Sequence, residues 1–142
     1  MEQSAESVVL GFIDRVRSGK EPKAASLFMA PKVKAHQVVS GNESVIERTP
    51  QNYTEHVYEF IEAYGQYGFE VQDFICQQNK VYVRWKQTGL HLAPILGFEP
   101  TGLPLTAIGS AVYLVEDGLI VEYWIQAENE GLLAQLQKNA ML

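Results

Sequence analysis

The stretch LTAIGSAVYLVEDGLIVEYW, residues 105–124, decides the fold class of this chain. Two runs rich in β-branched and aromatic residues flank an Asp-Gly pair, which is a strong short-range signal for a β-hairpin. The pattern predicts a strand at about 105–115, a turn at Glu116-Asp117-Gly118 and a second strand at about 119–126. The C-terminal half is therefore expected to contain an antiparallel sheet.

Strand signals continue on the N-terminal side of this hairpin. Residues 69–75 form one β segment and residues 81–85 another, with a turn at 78–80 between them. A Gly/Pro-rich passage at 89–104 separates these strands from the hairpin. A short helix is expected after the hairpin, at about 129–137.

Helical signals dominate the N-terminal part. Apolar residues recur at helical spacing from Val8 to Val16 and again from Tyr53 to Tyr64, and Thr49-Pro50 supplies a cap and a first-turn proline for the later helix. Between these helices the sequence predicts a helix at about 22–29, a strand at 33–39 that carries His36, and a polar loop at 40–50.

The order of the elements, helices first and then mostly antiparallel strands, predicts the α+β class. No β-α-β alternation is present, so a doubly wound parallel sheet is not expected. Helices packed on one face of a curved antiparallel sheet are the simplest arrangement. A chain of 142 residues with 46% hydrophobic residues can build one core without a disulfide or a metal, and neither a repeat nor a linker divides it.

Composition argues against several classes of protein. The 11 Lys and Arg residues against 17 Asp and Glu give a net charge of −6, which leaves no basic footprint for nucleic acid. The single cysteine, Cys76, excludes an internal disulfide and a thiolate zinc site, and the three histidines are too far apart in sequence for a metal motif. No signal peptide or membrane-spanning stretch is recognisable, so a cytoplasmic location is expected.

Four segments follow one another in an order and spacing that are typical of one family. They are VYVRWKQTGLH at 81–91, LGFEPTGLPL at 96–105, VEDGLIVEYW at 115–124 and EGLLAQL at 130–136. With their Arg-Trp strand, Gly-x-His, Pro-Thr-Gly loop and Trp-ended hairpin, these segments resemble the SnoaL-like polyketide cyclases. The N-terminal half resembles the family only in its order of helices and in the strand that carries His36-Gln37.

The resemblance implies a nuclear transport factor 2-like fold, a cystatin-like α+β barrel in which a cone-shaped curved antiparallel sheet wraps around the N-terminal helices. Such cones hold a deep, mostly apolar pocket, and members commonly form homodimers through the outer face of the sheet. The cyclases of the family close a polyketide ring by intramolecular aldol condensation without a metal or an organic cofactor. Residues 1–142 are therefore expected to form a single SnoaL-like domain that takes a small hydrophobic ligand and no cofactor.

The chain departs from the family pattern just after the final tryptophan of the hairpin, Trp124. The family commonly places aspartates one and four positions later, where this chain has Ile125 and Glu128. Isoleucine cannot transfer a proton, so a role assigned to the first aspartate is lost. Glu128 retains a carboxylate at the second position, with a side chain one methylene longer.

His91 and Glu128 are the candidate catalytic residues. His91 matches the family's histidine, and strand alternation from Val83 and Trp85 places it on their face. It could donate to a substrate oxygen or relay a proton, or instead hold the Pro-Thr-Gly loop by bonding a backbone carbonyl. Glu128 would need burial to raise its pKa for acid–base work; its alternative role is a carboxylate at a helix N-terminus.

The candidate substrate-binding residues are one histidine and three aromatic side chains: His36, Tyr53, Trp85 and Tyr123. His36 resembles a family position on the cavity wall, with a half-exposed strand position as its alternative. Alternation along the last strand puts Tyr123 and Trp124 on opposite faces, so at most one of them points inward. Large aromatic residues are also common in plain cores and dimer surfaces.

Two further residue sets give structural expectations. Arg84 and Glu122 alternate with apolar residues in different strands. They could anchor an acidic substrate, but the pattern favours a cross-strand ion pair on the outer sheet face. His56 is expected to be solvated, on a different helix face from Phe60.

Two functions are compatible with the sequence. The first is a cofactor-free enzyme that performs acid–base chemistry, namely aldol cyclisation, isomerisation or hydrolysis, on a small hydrophobic carbonyl compound. The second is a non-catalytic ligand-binding or dimeric scaffold module that has lost the family's catalytic aspartate, and Ile125 is the feature that favours it.

Overall fold

Six strands form one sheet in this protein. The computed structural model describes residues 3–142. The strands are β1 (Met29–Gln37), β2 (Ser44–Arg48), β3 (Gly68–Gln77), β4 (Lys80–Leu90), β5 (Pro104–Glu116) and β6 (Leu119–Ala127). The predicted hairpin is β5–β6, and both Asp117 and Gly118 adopt positive φ, as a two-residue turn of this type requires.

Three α-helices accompany the sheet: α1 (Ala5–Gly11), α2 (Pro50–Tyr64) and α3 (Asn129–Asn139). A π-helical turn, Phe12–Arg17, continues α1, and a 3₁₀ helix spans Pro22–Leu27. Helix α2 begins at the predicted Thr49 cap, whose hydroxyl accepts from the Asn52 amide while the Asn52 side chain accepts from the Thr49 amide. In the described residues, no helix has the length and apolar composition needed to cross a membrane.

The strands lie in the order β2-β1-β6-β5-β4-β3. All neighbours are antiparallel except β1 and β6, which run parallel. Because β2 and β3 are separate edges, the sheet is curved but does not close into a complete barrel. The predicted α+β class is confirmed, with one parallel pair in an otherwise antiparallel sheet.

The core lies between the helices and one face of the sheet, which we call the inner face. Alternate residues of β4 and β5 are buried there, including Val83, Trp85 and Tyr113. They pack in one cluster with apolar residues of the helical segments, among them Phe12 of the π-helical turn and Val57 of α2. The opposite face of the sheet is the outer face.

The end of α2 rests directly on the inner face. The Leu92 amide, just beyond β4, donates to the Ala63 carbonyl over 2.8 Å. A Cβ placed on Gly89 would lie 2.5 Å from the backbone oxygen of Tyr64, so only glycine permits this approach. The helix therefore covers the end of the sheet where β4 gives way to His91.

The structure corrects the predicted organisation of residues 22–50. The predicted loop at 40–50 contains strand β2, β1 begins at Met29 rather than at 33, and the helix expected at about 22–29 is a 3₁₀ helix. Strand β2 lies at an edge and its residues Ser44–Glu47 are all exposed. An exposed edge strand lacks the alternation of buried and polar residues by which strands are recognised in a sequence.

Candidate functional site

Three polar or charged residues are buried within the described part of the chain: Arg17, Gln87 and His91, with 5%, 2% and 0% of their surface exposed. Arg17 ends the π-helical turn, and Gln87 and His91 follow Trp85 along β4 with inward alternation. Burying polar groups without hydrogen bonds is costly, so such groups mark sites where a partner is needed.

His91 holds the Pro-Thr-Gly loop with its backbone rather than with its ring. Its amide donates to the Leu103 carbonyl over 2.9 Å, and the Gly102 amide donates to its carbonyl over 2.8 Å. Both ring nitrogens are buried and have no hydrogen-bond partner among residues 3–142. The ring is therefore positioned by its backbone, and its two nitrogens are not engaged by any described residue.

Gln87 adds a second unpartnered group on the same face. It lies opposite Phe69 of β3 and Ala107 of β5 in the strand register. Its Oε1 is buried without a hydrogen-bond partner in the described residues. A side-chain amide at this position offers both a donor and an acceptor to a ligand.

The Arg17 guanidinium lies among aromatic rings. Its Cζ is 4.1 Å from the Phe60 ring centroid, 4.8 Å from Phe69, 5.5 Å from Trp85 and 5.7 Å from Tyr67. Its Nη1 donates to the Tyr67 hydroxyl, which in turn donates to the Arg17 carbonyl. In the described residues no carboxylate lies within 4 Å of it. Aromatic faces and one tyrosine hydroxyl, with no anion among the described residues, thus accompany this buried charge.

Three tyrosines line the neighbouring part of the interior. The Tyr113 and Tyr123 ring centroids are 5.5 Å apart, Tyr53 lies 6.5 Å from Tyr123, and Phe12 lies 5.1 Å from Tyr53. Burial raises the pKa of Tyr53, Tyr113 and Tyr123; the positive charge of Arg17 opposes the rise in Tyr53 and Tyr113, and Arg48 opposes it more than Arg17 does in Tyr123. These phenols are therefore protonated at neutral pH and can act as hydrogen-bond donors.

His56 is half-buried, which corrects the expectation that it is solvated. Its ring centroid is 4.5 Å from that of Phe60, because residues four apart in a helix share a face. Burial and the positive charges of Arg48 and Arg17 lower the pKa of His56 to about 4, although its bond to Glu59 opposes the shift. The imidazole is therefore neutral near pH 7.

Replacing His56 by glutamine is expected to reduce the acid sensitivity of the fold. Between pH 6.5 and about 4 the unfolded chain binds a proton at His56 and the folded chain does not, so this residue makes stability rise with pH in that window. The free energy of unfolding of the wild type should fall by about 2 kcal/mol more than that of the variant on acidification from pH 7 to 4. Urea titrations at several pH values measure the difference, and parallel pH profiles would contradict it.

The side chains at the first and fourth positions after Trp124 point in different directions. Ile125 packs against the interior cluster, whereas Glu128 is exposed and caps α3. The Glu128 carboxylate accepts from the Gly131 amide over 2.5 Å. Residues 3–142 therefore place no carboxylate in the interior, and the inward position of the family pattern is occupied by the isoleucine.

His36 lies on the outer face and not on the wall of the interior. It is opposite Trp124 in the register of β1 and β6, and its ring stacks on that of Trp124 with centroids 4.9 Å apart. Its Nε2 lies 2.6 Å from an oxygen of Glu122. The neighbouring Ala35 is the inward residue, because successive strand residues alternate between faces.

The expected ion pair between Arg84 and Glu122 is replaced by two others on the same outer face. Arg84 bonds to Asp73 of β3, with its Nη2 2.6 Å from Oδ2, and Glu122 bonds to His36. The strand register explains this, because Arg84 lies opposite Asp73, whereas β5 separates Arg84 from Glu122.

A surface groove leads to the aromatic rings around Arg17. Its volume is about 330 Å³, and its walls include Ile13, Ser18, Gly19, Tyr67 and Phe69. Tyr67 and Phe69 also contact the Arg17 guanidinium. Two residues, Tyr67 and Phe69, thus belong both to the wall of the groove and to the surroundings of the Arg17 guanidinium.

The structure brings His91, Trp85, Tyr53 and Tyr123 of the predicted site to the interior and leaves Glu128 and His36 outside it. Sequence reasoning missed Arg17, Gln87 and Arg48. Strand alternation from Val83 also predicts an inward residue 87, and Arg17 lies four residues after Ile13 on an apolar helical stripe. These signals were present, but charged or amide side chains in such positions are usually solvated.

Comparisons with known proteins agree with this architecture. The family model described as SnoaL-like polyketide cyclase matches residues 7–136. A protein from Acidithiobacillus ferrooxidans that has been proposed to be a polyketide cyclase is 23% identical, with 98% of each chain covered and a TM-score of 0.81. A search of curated proteins finds no match.

Two further solved structures share the fold. IdmH from Streptomyces antibioticus, also proposed to be a polyketide cyclase, is 22% identical, with coverage of 95% of this chain and 99% of its own and a TM-score of 0.76. An NTF2-like protein from Burkholderia thailandensis is 16% identical, with coverage of 95% and 98% and a TM-score of 0.72. At these identities the likeness establishes the fold, and the predicted nuclear transport factor 2-like architecture is confirmed.

Proposed function

The chain belongs to the SnoaL-like polyketide cyclase family, and from this premise we propose that it is a cofactor-free enzyme acting on a small hydrophobic carbonyl compound. The observation that carries the proposal is His91, whose ring is completely buried with both nitrogens unpartnered among residues 3–142. An imidazole nitrogen can accept a proton and return it, so His91 is the group proposed to move the proton.

In the proposed reaction His91 accepts a proton from the carbon next to a carbonyl of the ligand. The C–H bond breaks, an N–H bond forms on the imidazole, and the carbonyl π electrons move to the oxygen to give an enolate. The enolate carbon attacks a second carbonyl of the same molecule, forming the C–C bond that closes the ring. The imidazolium then returns its proton to the new alkoxide. Isomerisation would use the same first step.

The neighbouring residues support such chemistry. The protonated tyrosines of the interior provide hydrogen-bond donors for a carbonyl or enolate oxygen, and Gln87 Oε1 provides an acceptor for a hydroxyl of the ligand. Trp85, Tyr53 and Tyr123 provide aromatic surface for a flat hydrophobic ligand, in the deep apolar pocket that we propose. Glu128 is not needed in this scheme, since its bond to the Gly131 amide fits a capping role.

The second candidate is a module that binds the same kind of ligand without turning it over. Two observations favour it: Ile125 packs toward the interior, and the described residues place no carboxylate there. Such a module would retain the aromatic surface and the polar groups as a recognition site.

Exchange of α-protons separates the two candidates. The hydrophobic ketone 2-tetralone is incubated in D₂O with the protein, and loss of its α-proton signals is followed by NMR. The enzyme is expected to accelerate exchange over buffer, with a loss of about 100-fold or more in His91→Asn and little change in Glu128→Gln. Binding of the ketone without accelerated exchange of its α-protons would contradict the enzyme and support the non-catalytic binding module. Native mass spectrometry of the purified protein identifies any ligand that is retained.

We propose in addition that the outer face of the sheet joins two copies of the chain. Strand register aligns one row of side chains across all six strands there: Val45, His36, Trp124, Val112, Tyr82 and Ile75. Ile75 and Val45 are 61% and 57% exposed. A row of apolar residues in the middle of a sheet suits a self-complementary contact between copies.

Val112→Lys is expected to weaken such a dimer by about 100-fold, because it places an unpaired charge in the centre of the contact. The matched control is Gln51→Lys, which adds the same charge at an exposed position of α2. Size-exclusion chromatography with light scattering measures the mass. A wild-type mass of 15.9 kDa at micromolar concentration, that of one chain, would contradict the proposed dimer.

A further inference from the structure

The four arginines of this chain divide into two pairs with different electrostatic environments. Arg15 and Arg84 lie at the surface in ion pairs with Glu21 and Asp73, at 2.9 and 2.6 Å. Arg17 and Arg48 have no carboxylate within 4 Å among the described residues. The two arginines without a carboxylate are those directed toward the interior.

Arg48 reaches the interior from the end of β2. It lies opposite Val33, which is 1% exposed on the inner face, and its Nε is buried without a hydrogen-bond partner among residues 3–142. The positive charge of Arg48 counteracts the rise in the pKa of Tyr123 and lowers that of His56, and the charge of Arg17 acts on both groups in the same direction. The geometry agrees: the Arg17 guanidinium lies 4.1 Å from the Phe60 ring, which packs on His56, and Arg48 lies opposite the buried Val33. Both guanidinium groups are therefore directed to the inner side of the sheet.

This region concentrates positive charge in a protein whose net charge is −6. Its ionisable neighbours are His56, which is neutral near pH 7, the protonated tyrosines, and Glu59, whose carboxylate is 75% exposed and bonded to His56. Burying a guanidinium without an anion is unfavourable, and aromatic faces compensate only part of the cost. A bound anion would supply the missing countercharge.

We propose that the compound bound in the interior carries a carboxylate on a flat conjugated ring system, and that Arg17 and Arg48 recognise this carboxylate. The inference rests on the proposed function, because it assigns the substrate class of the same interior site. The ring system would lie against Tyr53, Tyr113 and Tyr123, and the guanidinium groups would bind the carboxylate through charge-assisted hydrogen bonds. The same two positive charges would stabilise an enolate that forms during turnover.

The test compares two probes that share one ring system, 2-naphthoate and 2-naphthamide. Isothermal titration calorimetry at low salt is expected to show that the acid binds at least about 10-fold more tightly than the amide. Arg48→Gln is expected to remove most of this preference while leaving amide binding unchanged. Arg17→Gln should act in the same way; because Arg17 also bonds to Tyr67, its fold is checked by circular dichroism.

Arg84→Gln is the matched control, since it removes the same charge from the outer face. An unchanged preference in this control, together with its loss in Arg48→Gln, supports the inference. Equal binding of the two probes, or an acid preference that survives in Arg48→Gln, overturns the inference and leaves the proposed function intact. If neither 2-naphthoate nor 2-naphthamide binds, the inference and the proposed function are both overturned, because the proposed function itself requires a site for a hydrophobic ring.

Discussion

Gly89→Ala is expected to lower the free energy of unfolding by about 3 kcal/mol. The new Cβ would lie 2.5 Å from the Tyr64 backbone oxygen and 2.8 Å from its Cβ, so the end of α2 would have to move off the inner face. Backbone cannot rotate out of the way as a side chain can. The movement would also break the bond between the Leu92 amide and the Ala63 carbonyl. Urea denaturation measures the loss.

Gly68→Ala is the control for this substitution. A Cβ at Gly68 would lie 2.9 Å from the hydroxyl of Thr88, an exposed side chain that can change its rotamer. We expect this variant to lose less than about 1 kcal/mol. Equal losses in the two variants would show that glycine content in the strands, and not the approach of α2, determines the effect.

His91→Leu is expected to stabilise the protein by about 1–3 kcal/mol and to abolish turnover. Leucine fills a similar volume without placing two unpartnered ring nitrogens in the core, each of which carries a desolvation cost. Residues kept for chemistry at the expense of stability behave in this way. The gain is measured as a shift of the urea midpoint, and the loss of activity by the exchange of 2-tetralone protons.

His36→Leu is the comparison for that variant. His36 has a partner in Glu122 and stacks on Trp124, so its replacement removes an interaction and should lower stability by about 0.5–1 kcal/mol. A His91→Leu variant that is less stable than the wild type would mean that the ring nitrogens have partners in solution and that His91 is a structural residue. Activity retained in His91→Leu would remove it from the mechanism.

Much of the fold could be predicted because its signals are local. The Asp117-Gly118 turn, the Thr49 cap and the helical spacing of apolar residues each depend on a few neighbouring residues. Strand β2 was missed because edge strands bury little, and the parallel pairing of β1 with β6 was missed because it joins segments about ninety residues apart. No local pattern encodes such a pairing.

The candidate site could be predicted only in part. Strand alternation correctly places His91 on the face of Val83 and Trp85, and Tyr123 and Trp124 on opposite faces; the structure shows that Tyr123 is the inward one. The same rule, applied along β1, would have directed His36 outward once Val33 and Ala35 were known to be buried. Arg17 was missed because a charged residue at the end of a helix is ordinarily solvated.

The sequence by itself determined the α+β class, the main hairpin, the family resemblance and the alternation of residues such as Tyr123 and Trp124 between opposite faces, since these follow from patterns along the chain. The tertiary structure alone decided that Arg17, Gln87 and His91 would each be buried, that Glu128 would cap a helix, and that Arg17 and Arg48 would face the interior without a carboxylate. Burial and the lack of a partner depend on every segment that packs around a group, and for these residues those segments come from both halves of the chain.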